Sequence, residues 1–150
     1  MRIRTSARIL VLNLRNEVLL FQFSHSDDAL AGQVYWATPG GAVEFSETLP
    51  EAAARELYEE TSIKDVMLTA TEFTRNFPMQ LNDGEWVDAQ EYYFVAKVGH
   101  VIISDQNWSE NERNEFARYA WFSQSAIETS TSIIYPEQLA PMIADILAGG

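Results

Sequence analysis

The chain has 150 residues, with 22 acidic and 10 basic side chains, a formal charge of −12 and a pI near 4.4. That balance argues against a protein that holds DNA, RNA or an anionic membrane through phosphate contacts, and it repels phosphorylated small molecules unless a cation lies between. Cysteine is absent, so disulfide frameworks, thiolate metal sites and thiol nucleophiles are excluded.

The length suits one domain over residues 1–150, and no repeat, low-complexity tract or Pro/Gly/Ser-rich linker divides it. Arg2, Arg4 and Arg8 precede only four apolar residues, 9–12, too few for the core of a secretion signal. No run reaches the length of a membrane span, and a cytoplasmic location is the expectation. Residues 7–12 and 18–23 read as two strands joined by a turn. Residues 24–35 are small and polar and read as a surface loop, which takes His25 with it. Residues 36–38 then run into the break Pro39-Gly40-Gly41. Thr48-Leu49-Pro50-Glu51 has the form of a capping box and opens a helix to about Thr61. Residues 66–77 and 85–98 read as strands around the Asn82-Asp83-Gly84 turn, and 108–118 as a polar loop. A last strand is expected at 119–122 and a short helix at 123–128. A C-terminal helix is expected at 136–147, with Pro141 bending it or marking its start, and its apolar stripe belongs to the core or a dimer contact. Strands alternating with two or three helices indicate an α/β or α+β sandwich.

On the helix from Thr48, Glu56, Glu59 and Glu60 fall within an arc of about 100°. Pro50, Ala53, Ala54, Leu57 and Thr61 gather on the other side as the face to bury. Carboxylates at one-turn spacing repel each other by a few tenths of a kcal/mol per pair, and a divalent cation among them reverses the sign. A solvated acidic face and a metal site are both open on the helix alone. The residues before it favour the metal: Gly40-Gly41 admits close backbone approach, and Arg55 is the one cation placed to orient a carboxylate.

Gly41, Glu47 and Arg55-Glu56-Leu57-Tyr58-Glu59-Glu60-Thr61-Ser62-Ile63 resemble the Nudix box of MutT-like proteins, matching eight of its nine constrained positions. With average residue frequencies, that match arises by chance on the order of once in 100,000 such chains. Ser62 departs from the pattern where the family carries glycine, which raises a question about loop geometry after the helix and touches none of the acids. The resemblance implies a Nudix-type α/β/α sandwich with a mixed β-sheet. It further implies hydrolysis of a nucleoside diphosphate linked to another group, of nucleotide, ADP-ribose or nucleotide-sugar type, by water attack at phosphorus.

By that resemblance Mg²⁺ or Mn²⁺ is the cofactor. Glu56 and Glu60 are its first ligands, Glu59 the third, and the Gly40 carbonyl completes the shell, while Glu47 and Arg55 pair in support of the loop. The general base is Glu56 or a later loop glutamate. Glu115, six residues before Trp121, is the loop candidate for catalysis and metal binding, ahead of Glu110 and Glu112. Arg8 and Arg75 are candidates for phosphate contact, and Phe77 and Trp86 for stacking a base, each with an ion-paired or core position as the alternative. His25 and His100 are assigned to loop or surface. The expected partner is a small nucleotide-type molecule, not a membrane or nucleic acid, and a homodimer is compatible with the family. The alternative function is a non-catalytic Nudix-fold sensor, which has no need of three stacked carboxylates; an EF-hand-like calcium protein lacks its loop and ranks last.

Overall fold

A computed structural model describes residues 1–25 and 28–149; the side chains at 111, 114, 115 and 117 lie outside the described part. In chain order the strands are β1 (Arg2–Leu12), β2 (Val18–Ser24), β3 (Val34–Ala37), β4 (Gly40–Ala42), β5 (Leu68–Gln80), β6 (Trp86–Lys97), β7 (Phe116–Phe122) and β8 (Ile134–Tyr135). The helices are α1 (Leu49–Thr61), α2 (Glu110–Glu115), α3 (Gln124–Thr129) and α4 (Leu139–Gly149). The main path of the sheet runs β5-β6-β1-β2-β3-β8, with β4 paired to β1 and β7 to β2. It is mixed: β1 runs parallel to β6 and antiparallel to β2 and β4.

Strand β1 shows why the layers form. Its side chains alternate with period two, and both faces are apolar. Ala7, Ile9 and Val11 pack toward Ala52, Ala53 and Leu57 of α1. Leu10 and Leu12 pack with Leu139, Met142 and Ile143 of α4. Helices therefore cover the sheet on both faces, in the α/β/α arrangement expected.

Helix α1 starts as its sequence dictates. Thr48 Oγ1 accepts the Glu51 N–H at 3.2 Å, and Glu51 Oε1 accepts the Thr48 N–H at 2.9 Å. Its buried face differs from the expected one: Ala52 joins Ala53, Leu57 and Thr61, whereas Pro50 and Ala54 are exposed. Glu56 and Glu60 are themselves buried.

Three other expectations need correction. Residues 108–118 are not a loop throughout, since they contain α2 and the first residues of β7. Val34 and Tyr35, read as loop, open β3 and pair with Ser24 and Phe23. His25 is not on the surface; it is 5% exposed, with Nδ1 against Asp28 Oδ2 and Nε2 against the Tyr35 hydroxyl, each at 3.1 Å. His100 is exposed, as expected of a loop residue.

Candidate active site

The short strand β4 brings the glycines against β1, with Gly40 opposite Arg8 and Gly41 opposite Ala7. Gly40 has φ 143°, and a Cβ there would be driven into the Ala7 carbonyl and to 2.8 Å from Arg8 Cα. Only glycine fits that approach. Its N–H points at the helix and donates to Glu60 Oε2 at 2.8 Å. At Gly41 a Cβ would meet the Glu56 carboxylate, at 2.6 Å from Oε1. Gly40 thus lies close against β1 with its N–H turned to Glu60, and Gly41 leaves room for the Glu56 carboxylate.

Arg55 is the hub of the loop. Its Nε and Nη2 donate to the two oxygens of Glu47 at 2.7 and 2.9 Å, and Nη2 also donates to the Ala42 carbonyl at 2.9 Å. The remaining Nη1 donates to Glu56 Oε1 at 2.9 Å and lies 3.4 Å from Glu59 and Glu44. The forked pair ties the loop before α1 to the helix and holds the Glu47 carboxyl below the usual range. Glu47 thus positions Arg55, and Arg55 positions Glu56.

One oxygen each from Glu56, Glu60 and Glu112 lies within 4.8 Å of the other two. Burial pushes the Glu60 carboxyl well above the ordinary range, with Glu56 the next cause; Arg8 and the Gly40 N–H pull the other way. Glu56 is raised too, again chiefly by burial, against the opposing pull of Arg55. The three oxygens form a hard-donor set with too little positive charge around it, which fits a divalent cation.

The third member of this group is Glu112 rather than Glu59. Glu59 lines the same cleft, but its side chain is 39% exposed and faces Arg55. Glu115 ends α2, and its side chain lies outside the described residues. The signal for Glu112 was local: Ser109-x-x-Glu112 is itself a capping box, with Ser109 Oγ accepting the Glu112 N–H at 3.2 Å and Glu112 Oε1 accepting the Ser109 N–H at 2.8 Å.

Beside this cleft, of about 670 Å³, opens a cavity of about 410 Å³. The structure brings Arg8, Arg75, Phe77 and Trp86 together on its walls. Arg8 Nε and Arg75 Nη1 donate to the two oxygens of buried Glu91 at 2.9 and 3.1 Å, and the Tyr93 hydroxyl donates to Glu91 at 2.9 Å. Burial works against the Glu91 charge, but Arg8, Tyr93 and Arg75 together hold its carboxyl below the usual range. The Arg75 guanidinium lies 4.1 Å from the Phe77 ring centre and 5.5 Å from that of Tyr135. Trp86 is half exposed at the rim. Glu91 was missed in the sequence, although it stands alone on the buried stripe Val87, Ala89, Glu91, Tyr93, Val95, where a single carboxylate demands partners.

The family model for the NUDIX domain matches residues 2–144. The chain belongs to the Nudix family. Among its relatives is the phosphatase NudJ of Escherichia coli K12, 51% identical over 104 residues that cover 53% of this chain and 68% of the relative. The fold is similar to that of the MutT protein of Methanosarcina mazei Go1, with a TM-score of 0.69 and 25% identity over 99% of this chain and 95% of that one. It is also similar to a C. elegans Ap4A hydrolase in a binary complex, with a TM-score of 0.66 and 23% identity over 98% and 99% of the two chains. As a Nudix hydrolase the protein is a pyrophosphatase, acting on phosphoanhydride bonds in small nucleotide-type molecules. The family generally uses a divalent metal. Among the described residues no helix is long and apolar enough to cross a membrane.

Proposed function

We propose that this Nudix hydrolase cleaves the diphosphate linkage of a nucleoside diphosphate derivative whose phosphates lie in the acid cleft and whose nucleoside enters the adjoining cavity. The observation that carries this reading is the shared wall. Arg8, Leu30, Tyr35, Ala37, Met79 and Gln80 line both spaces, so one extended molecule can occupy the two. Glu56, Glu60 and Glu112 would hold Mg²⁺ or Mn²⁺, with Glu59 and the Gly40 carbonyl as further oxygen donors. Such a cation, when bound, supplies charge neutralisation on the diphosphate oxygens.

The chain's own residues do the rest. Arg55 fixes one oxygen of Glu56 and thereby the direction of its carboxylate. Burial makes Glu56 a stronger proton acceptor than an exposed glutamate, and the direction fixed by Arg55 suits it to take the proton of an attacking water. Glu115 is the alternative acceptor. Arg8 places a cation at the neck between cleft and cavity, and Arg75, Phe77 and Trp86 offer a cation and aromatic surface to the nucleoside. The reading carries a single domain over 1–150 and a cytoplasmic setting.

A panel of nucleoside diphosphates, triphosphates, ADP-ribose, nucleotide-sugars and dinucleoside polyphosphates, with products identified in Mg²⁺ and in EDTA, tests it. Phosphate-containing products formed only with Mg²⁺ support the reading. Ligand-induced thermal shifts without turnover on any member would support the sensor instead.

A further inference from the structure

Ser62, the one position that departs from the Nudix box, closes α1 in the left-handed region with φ 65° and ψ 13°, its N–H donating to the Tyr58 carbonyl at 2.8 Å. Glycine would suit that backbone better, but serine brings an oxygen, and that oxygen is used. Ser62 Oγ accepts Asn107 Nδ2 at 3.1 Å and faces the Ser104 carbonyl at 3.5 Å. The Ser104 N–H in turn donates to the Thr61 carbonyl at 3.0 Å. Next along the chain, Trp108 Nε1 donates to the Glu60 carbonyl at 2.7 Å, with its ring edge-on to Phe116 at 4.7 Å. Ser109 follows and fixes Glu112 through the reciprocal capping bonds. A short connected path thus runs from the end of the acidic helix to the third carboxylate of the cleft.

We propose that Ser62 and Asn107 are positioning residues that seat the loop at 104–109 on the end of α1 and so set the Glu112 carboxylate beside Glu56 and Glu60. This rests on the reading of Glu112 as a cation donor. Neither residue belongs to the three-carboxylate group; their effect passes through the loop. The departure from the box is then a tether with a function, since glycine at 62 leaves Asn107 without its partner.

The test is a Mn²⁺ titration, with free ion followed by electron paramagnetic resonance, on the full chain and its Ser62→Gly, Asn107→Ala, Glu112→Gln and Ser62→Gly/Glu112→Gln variants, each also melted. Glu112→Gln is expected to weaken Mn²⁺ binding about tenfold or more, and Ser62→Gly and Asn107→Ala to weaken it by up to about tenfold. Ser62→Gly should hold or raise Tm, because glycine relieves the left-handed backbone, so affinity and stability move in opposite directions. On the Glu112→Gln background Ser62→Gly should have no further effect. Wild-type Mn²⁺ binding in Ser62→Gly and Asn107→Ala, beside a weakened Glu112→Gln, overturns the positioning role and leaves Glu112 in place. The same is true of weakened binding matched by a lowered Tm, or of an equal Ser62→Gly effect on both backgrounds. Wild-type binding in Glu112→Gln overturns the underlying reading itself.

Discussion

Replacing Gly41 by alanine isolates the placement of one carboxylate. The backbone at 41 lies outside the left-handed region, so the added methyl acts through contact alone. That methyl would stand 2.6 Å from Glu56 Oε1, 2.8 Å from Cδ and 2.9 Å from Oε2, whereas ordinary contact begins near 3.4 Å. The carboxylate must retreat by about 0.8 Å, away from β4 and out of register with Arg55 Nη1. The yielding group is the end of a flexible side chain, so stability should fall by only about 1 kcal/mol, the low end for overpacking. In a chain of this size that is a Tm loss of roughly 2–4 °C. Catalysis is less forgiving, since a misplacement of about 1 Å costs on the order of 100-fold in rate. Gly41→Ala should therefore lower kcat by about 10- to 100-fold while remaining folded. Initial rates at saturating substrate and Mg²⁺, with a thermal melt of the same samples, measure both. Wild-type kcat in a folded Gly41→Ala protein would refute the argument that Glu56 must sit where the structure has it.

Two further outcomes follow from the buried charges. Glu91→Ala leaves Arg8 and Arg75 without the carboxylate they share, and removing one partner of a buried ion pair costs about 3–5 kcal/mol; urea unfolding should show that loss, and a change below about 1 kcal/mol would mean the network is solvated. The second outcome concerns pH. Glu60 has its carboxyl raised well above the ordinary 4.5. Between those values the folded chain holds a proton that the unfolded chain has released, so stability falls as pH rises through the window. In EDTA, Glu60→Gln should match wild type near pH 4.5 and melt progressively higher than wild type as pH rises above it, with excess Mg²⁺ closing the gap by stabilising wild type. A gap that does not widen with pH would contradict the buried charge.

The legible part of the site was the local part. Gly41, Glu47, Arg55 and the acids of α1 fall within 23 residues, and helix geometry alone groups the carboxylates. The strand β2 and residues 7–12 of β1 were legible for a similar reason, as short β-branched runs between turn residues, whereas residues 2–6, polar and arginine-bearing, extend β1 beyond the expected start. What escaped depended on partners distant in sequence. Glu112 joins Glu56 and Glu60 from a segment some fifty residues on, and no periodicity relates them. The beginning of β7 was hidden because Arg118 reads as loop, yet its Nε bonds Gln22 Oε1 at 3.1 Å and its guanidinium lies 5.4 Å from the Trp36 ring centre. His25 looked like a surface residue because its neighbours are polar; Asp28 and Tyr35 satisfy both ring nitrogens and allow it inside. The charge of −12 is similarly divided: part of it is concentrated among buried glutamates that repel one another until a cation arrives.

The most direct test of the account is hydrolysis of the best panel substrate in water enriched in heavy oxygen, with Mg²⁺, by wild type and by Glu60→Gln, the products being weighed by mass spectrometry. The account predicts label on one phosphate product, none on the nucleoside, and a nearly inactive Glu60→Gln. Label on the nucleoside carbon skeleton, or equal turnover by Glu60→Gln, would contradict it.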